Sequence, residues 1–139
     1  MKKLLIPGFV AAIAIFIGGA LSQYFFNSMN DSLSKEVETF GEFRSMKDPL
    51  MYIYFIYPLV LGYILAWLWD WGQSKIRGNK FVKVFRFTLG YWIIAIVPGM
   101  LMTFSTFKLS GMMIMSWTVG AFMQVLFASI AFSFLIRER

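Results

Sequence analysis

Leu109–Ile136 reads LSGMMIMSWTVGAFMQVLFASIAFSFLI and contains no Asp, Glu, Lys or Arg. A helix needs about 20 predominantly apolar residues to cross the hydrocarbon core of a bilayer, and this run exceeds that length. Leu4–Phe26, Pro49–Leu68 and Phe87–Phe107 are also uncharged and long enough. Every charged side chain lies between or beside these four runs. The pattern predicts an all-α integral membrane protein, a four-transmembrane-helix antiparallel bundle occupying residues 1–139 as a single domain. Its expected spans cover residues 4–26, 49–71, 82–107 and 109–136, with an outer loop over 27–48.

Composition points the same way. Of the 139 residues, 59% are hydrophobic and 19% aromatic, more apolar surface than a soluble domain of this size could bury. The absence of Cys and His excludes disulfides, thiolate chemistry, histidine-ligated haem and ordinary zinc sites. No catalytic residue, cofactor or metal is therefore expected, and the chain does not read as an enzyme. Glu36 and Glu38 stand two apart on an expected helix and so point away from each other. Methionines crowd the outer half of the expected topology, and soft thioethers suit Cu(I). Met112 and Met113 cannot both face inward, however, and adaptable packing accounts for such residues.

The net charge of +6 is distributed by position. Lys2, Lys3, Lys75, Arg77, Lys80, Lys83, Arg86, Arg137 and Arg139 fall on one side of the expected spans; Lys35, Arg44, Lys47 and Lys108 fall on the other. Nine against four places both termini in the cytoplasm by the positive-inside rule. The cluster Lys75, Arg77, Lys80, Lys83 and Arg86 is read as a topology determinant facing anionic lipid head groups, each worth roughly 1 kcal/mol near the surface. Nucleic acid is not an expected partner. The expected location is a cell membrane crossed several times, with a bacterial inner membrane as its setting. Lys2-Lys3, the apolar run and Gly18-Gly19-Ala20 resemble a secretory signal, but a signal's apolar region spans only about 7–15 residues, so an uncleaved first helix is expected.

Local signals refine the spans. Ala14, Gly18 and Ser22 recur every four residues, as do Gly120, Gln124 and Ala128; small-residue stripes let helix backbones approach closely in lipid. Within the outer loop, Leu33, Val37 and Phe40 follow helical spacing, Asp31 or Ser32 suits a cap, and Gly41 suits a stop. A short amphipathic helix lying on the outer membrane surface is expected there, with a loosely ordered loop as the alternative. Tyr52, Tyr54 and Tyr57 mark the outer interface of the second span, and Trp67, Trp69 and Trp71 the inner one. Asp70 is expected to pair with Lys75 or Arg77. Pro58, and Pro98 with Gly99, are expected to break their helices and free the carbonyls of Tyr54 and Ile94. Gly78-Asn79 punctuates the second connection, and Ser110-Gly111 makes the third a tight hairpin.

The residues open to a functional role are accordingly few and uncharged. Gln124, at mid-span, suits polar adhesion between helices or coordination of a ligand. Gly18, Ser22 and Gly120 suit packing, while the breaks at Pro58, Pro98 and Gly99 could expose carbonyls to a pathway. Thr103-Phe104-Ser105-Thr106-Phe107, preceded by Gly99, resembles the third-helix signature of the small four-span fluoride channels, and Gly18-Gly19-Ala20-Leu21 is similar to the opening of their first helix. That resemblance implies Thr103, Ser105 and Thr106 around a structural sodium ion, with Phe104 and Phe107 edging an anion pathway. It covers two short segments. The second span here lacks the Asn of those channels, the outer loop is longer, and the pentapeptide lies at the end of its span. None of the four uncharged runs offers a carboxylate, a basic side chain or a histidine at membrane depth, which argues against proton-coupled transport. The leading expectation is a non-catalytic protein acting through helix association, as an accessory subunit or homo-oligomer whose partners are the lipid bilayer and other transmembrane helices. The alternative is a small passive channel or permease.

Overall fold

A computed structural model describes residues 2–39 and 47–136, with backbone alone at Lys2 and Val37. The expectations for Phe40 and Gly41, and the charges of Arg44, Arg137 and Arg139, lie outside the described residues. Among the described residues the fold is entirely helical. A 3-10 turn at Lys2–Leu4 leads into α1, Leu5–Met29. Next come α2 (Asp31–Thr39), a 3-10 turn at Pro49–Met51 and α3 (Tyr52–Gly72). Helix α4 (Lys80–Tyr91) runs through a π-helical turn (Trp92–Ile96) into α5 (Val97–Thr106), and α6 is Gly111–Leu135. Four stretches are long and apolar enough to cross a membrane: Leu5–Met29, Pro49–Gly72, Lys80–Thr106 and Gly111–Leu135.

The prolines do not break their helices as expected. Helix α3 continues through Pro58. At Pro98 the missing N–H and the ring's crowding of the carbonyl one turn earlier would disrupt regular α-helix. The chain absorbs this in the preceding π turn, where the Val97 N–H reaches back to the Trp92 carbonyl. The third span is one continuous helical rod that begins at Lys80, so Phe81–Arg86 belongs to the helix itself.

Capping residues define where the helices begin. Asn79 Oδ1 accepts from the Val82 N–H at 3.0 Å, following Gly78 at φ +131°, a conformation open to glycine at little cost. Ser110 Oγ accepts from the Met113 N–H at 3.1 Å. Asp48 Oδ1 accepts from the Leu50 N–H at 2.9 Å. At α2 the cap is Asn30 rather than Asp31 or Ser32: its Oδ1 accepts from both the N–H and the hydroxyl of Ser32.

Helix α1 packs against both α3 and α6. A Cβ placed on Gly62 of α3 would stand 2.6 Å from the Gly8 carbonyl oxygen and 2.9 Å from the Ala12 nitrogen. A Cβ on Gly18 would stand 3.1–3.3 Å from the backbone of Met123 and Gln124 in α6. Around these contacts Ala11, Ile15, Leu65, Ala66, Val125, Ala128 and Phe132 form a fully buried core. Trp69 closes it at one end, edge-on to Phe87 with ring centroids 5.1 Å apart.

A second, smaller cluster joins Leu33 of α2 to Leu109 and Met113. Beside it the Glu36 carboxylate accepts from the Ser110 N–H (2.7 Å) and the Ser110 hydroxyl (2.6 Å). Leu33 thus turns toward protein, and α2 is tied to the start of α6 by a charge-assisted pair of hydrogen bonds.

The Gly62 contact is with backbone, which cannot swing aside. Gly62→Ala is expected to destabilise the protein by about 1–3 kcal/mol, whereas Gly90→Ala, with nothing within 4 Å, should be neutral or stabilising by up to about 1 kcal/mol. Unfolding in mixed micelles at increasing denaturing-detergent fraction measures both.

Candidate functional site

The residues singled out from sequence separate into two groups. Gly18, Ser22, Gly120 and Gln124 are brought together at the contact of α1 with α6. A Cβ on Gly120 would lie 3.2 Å from Ser22 Oγ and 3.7 Å from Ser22 Cβ, and one on Gly19 would lie 2.6 Å from the Gln124 amide nitrogen. Gln124 therefore lies across a glycine surface, half-buried, and among the described residues no hydrogen bond joins its amide to another helix. The two small-residue stripes meet each other within the chain.

Pro58, Pro98 and Gly99 do not join this group. Pro58 is half-buried on α3, while Pro98 and Gly99 are exposed on α5, with open space around Gly99. The hydroxyls of the Thr103–Phe107 segment are satisfied by their own helix: Thr103 donates to the Gly99 carbonyl, and Ser105 and Thr106 both donate to the Met102 carbonyl. Phe104 and Phe107 are exposed. Such back-bonding removes the polar demand of a hydroxyl in an apolar medium without creating a polar path.

Two polar contacts within the spans carry no pattern that sequence reasoning used. Thr88 of α4 donates to Ser129 of α6 at 3.1 Å, and Ser129 donates to the Val125 carbonyl; both residues are fully buried. Trp92 Nε1 donates to the Thr118 carbonyl at 2.8 Å, with its ring edge-on to Phe122. A mid-span indole N–H must find an acceptor in lipid, and that requirement was the available signal for Trp92.

At the end of the fold where α3 and α6 finish and α4 starts, a cavity of about 420 Å³ is lined by Trp69, Gln73, Lys80, Lys83 and Ser133–Ile136. Lys83 and Gln73 are buried there, 8% and 3% exposed, although Lys83 was expected to face lipid head groups. Trp69, expected in the interfacial belt with Trp67 and Trp71, is instead core, while the other two are exposed. Nor does Asp70 form its expected pair among the described residues. Lys75 lies over the Trp71 ring at 3.4 Å, and the Arg77 carbonyl accepts from Arg86. A second cavity of about 410 Å³ is an apolar groove between α5 and α6, lined by Trp92, Leu101, Phe104, Ile114, Met115 and Thr118 among others. Neither cavity is lined by Pro58, Pro98 or Gly99.

Among the described residues no group of three or more Asp or Glu side chains could hold a metal ion. No protein-family model, no curated protein and no solved structure matches this chain.

Because the hydroxyls of Thr103, Ser105 and Thr106 bond within their own helix, replacing all three with Val, Ala and Val should leave thermal stability in detergent within about 1 kcal/mol. Gly18→Leu, by contrast, must push apart two backbones, and loss of the folded monomer peak on size exclusion is its expected outcome.

Proposed function

We propose that this chain is a non-catalytic, multi-pass membrane protein that works by associating with other transmembrane helices, as an accessory subunit or as a homo-oligomer. The observation that carries this reading is the uneven use of its surfaces. Only 6% of the most apolar window of Lys80–Thr106 is buried, against 22–39% for the other three spans. Along that third span Gly90 and Gly99 have nothing within 4 Å of a would-be Cβ, and the apolar groove beside α5 is not filled by the chain itself. Small residues on an outward face allow a further helix to approach closely. The stripes on α1 and α6 face each other, so association is assigned to α4 and α5 instead.

The proposed arrangement is an antiparallel bundle with both termini cytoplasmic and α2 on the outer side. It rests on the excess of Lys and Arg at the other end of the spans. The channel alternative has less support. Conduction needs a polar or wettable route, whereas the centre formed by Ile15, Leu65, Val125 and Ala128 is tightly packed and apolar.

Two measurements test the proposal. Native mass measurement from mild detergent should find the chain with itself or with a partner, and Gly99→Trp combined with Gly90→Leu should release it while preserving the folded monomer. A chain that is strictly monomeric and partnerless before mutation contradicts the proposal. Reconstituted liposomes should carry fluoride and common cations no faster than empty vesicles; robust flux would favour the channel.

A further inference from the structure

We infer that the groove between α5 and α6 is a resident site for one acyl chain of a membrane phospholipid, seated with its head group at the connection between those two helices. Phe104 of α5 and Gly111 of α6 stand at the end nearest that connection, and Trp92, Thr118 and Val119 stand at the other. At 1.5 Å per residue, Trp92 to Phe104 covers about 18 Å and Gly111 to Val119 about 12 Å. Half of a bilayer's hydrocarbon core is about 15 Å. The groove therefore runs from the end of the spans to about mid-membrane, which is the path of one chain in one leaflet.

Size selects the occupant. The groove holds about 410 Å³, within the roughly 300–1,000 Å³ of small-ligand sites. A helix segment about 10 Å across and 15 Å long occupies about 1,200 Å³. The space fits a slender chain and not a helix.

The lining chemistry agrees. Of the described residues that line the groove, only Trp92 and Thr118 bring polar side-chain atoms. Both are already bonded: Trp92 Nε1 donates to the Thr118 carbonyl at 2.8 Å, and the Thr118 hydroxyl donates to the Ile114 carbonyl at 2.6 Å. An apolar occupant leaves neither of them unmet. The Trp92 ring is also held edge-on by Phe122, with centroids 5.7 Å apart, so that wall is fixed. In lipid, hydrophobicity does not favour one apolar surface over another. A groove with fixed walls is filled because its lining atoms lose dispersion contacts when nothing slender enough occupies it. At the mouth, Lys108 is exposed on the connection, at the level where an ammonium group meets lipid phosphate. Helix association as proposed above uses Gly90 and Gly99, neither of which lines the groove, so the two roles can be tested apart.

The test is native mass measurement of the full chain in mild detergent, supplied with phosphatidylglycerol carrying either palmitoyl or hexanoyl chains. One palmitoyl lipid per chain should survive washing that removes the hexanoyl lipid. Gly111→Leu adds a side chain to the lining where nothing stands within 4 Å, and should lower retention about fivefold or more. Met115→Trp, at a groove residue that is 58% exposed, is a second filling variant. Gly72→Leu, equally unobstructed but outside the groove, should stay within about twofold. Lys108→Gln should reduce retention about twofold. Lipid that stays bound in the Gly99→Trp, Gly90→Leu chain supports the site whether or not that chain is monomeric. Three results overturn it: no preference for the palmitoyl lipid, retention unchanged in both filling variants, or an equal loss with Gly72→Leu. Loss of an oligomer in place of lipid on filling the groove also overturns it, and gives the groove to a partner's side chains.

Discussion

The close backbone approach of α1 to α3 on one side and to α6 on the other is the constraint from which the rest of the fold follows. In a bilayer the lipid tails are as apolar as the side chains, so helices gain nothing by hiding leucines from lipid. Contact must come from fit. Gly62 lets the Gly8 carbonyl and the Ala12 nitrogen come within reach of α3, and Gly18 with Gly120 does the same toward α6. Once those backbones are close, Ile15, Leu65 and Val125 pack together at the centre of the molecule, each 0–1% exposed.

Polar contacts then secure what packing has placed. Thr88 with Ser129, and Trp92 with the Thr118 carbonyl, attach the third span to α6 using neutral groups. Glu36 holds Ser110 where α6 begins. Among the described residues the charged side chains lie in α2, in the connections and near the ends of the spans. The glycine contacts are consumed inside the chain, which under the proposed association leaves the third span as the surface offered to other helices.

Much of this organisation was legible in the sequence, and the illegible part has physical causes. The four apolar helices follow from run length, a one-dimensional property that survives folding. The turns at Gly78-Asn79 and Ser110-Gly111 follow from local chemistry. Spacing identified Gly18, Ser22, Gly120 and Gln124 as facing residues, yet spacing cannot say whether a small stripe meets its own chain or another. Glu36 and Ser110 are far apart in sequence and share no motif, so their bond was invisible. Trp67, Trp69 and Trp71 read alike as an aromatic belt. Helical geometry separates them, because Trp69 continues the Leu61–Leu65 face and its two neighbours do not. The breaks expected at Pro58 and Pro98 were over-read: α3 runs on through Pro58, and at Pro98 a preceding π turn absorbs the strain.

The central claim is that α1 and α6 meet through Gly18, Ser22 and Gly120 within one chain. The native sequence has no cysteine, so a Ser22→Cys, Gly120→Cys pair can be introduced without background. The Ser22 Cβ stands 3.7 Å from the position of a Gly120 Cβ, inside the roughly 3.5–4.5 Å range that a disulfide requires. Mild oxidation in native membranes should produce an intrachain cross-link, detected as a mobility shift of the monomer on non-reducing gels and reversed by thiol. Failure to cross-link, or a disulfide-linked dimer instead of a closed monomer, would contradict the account.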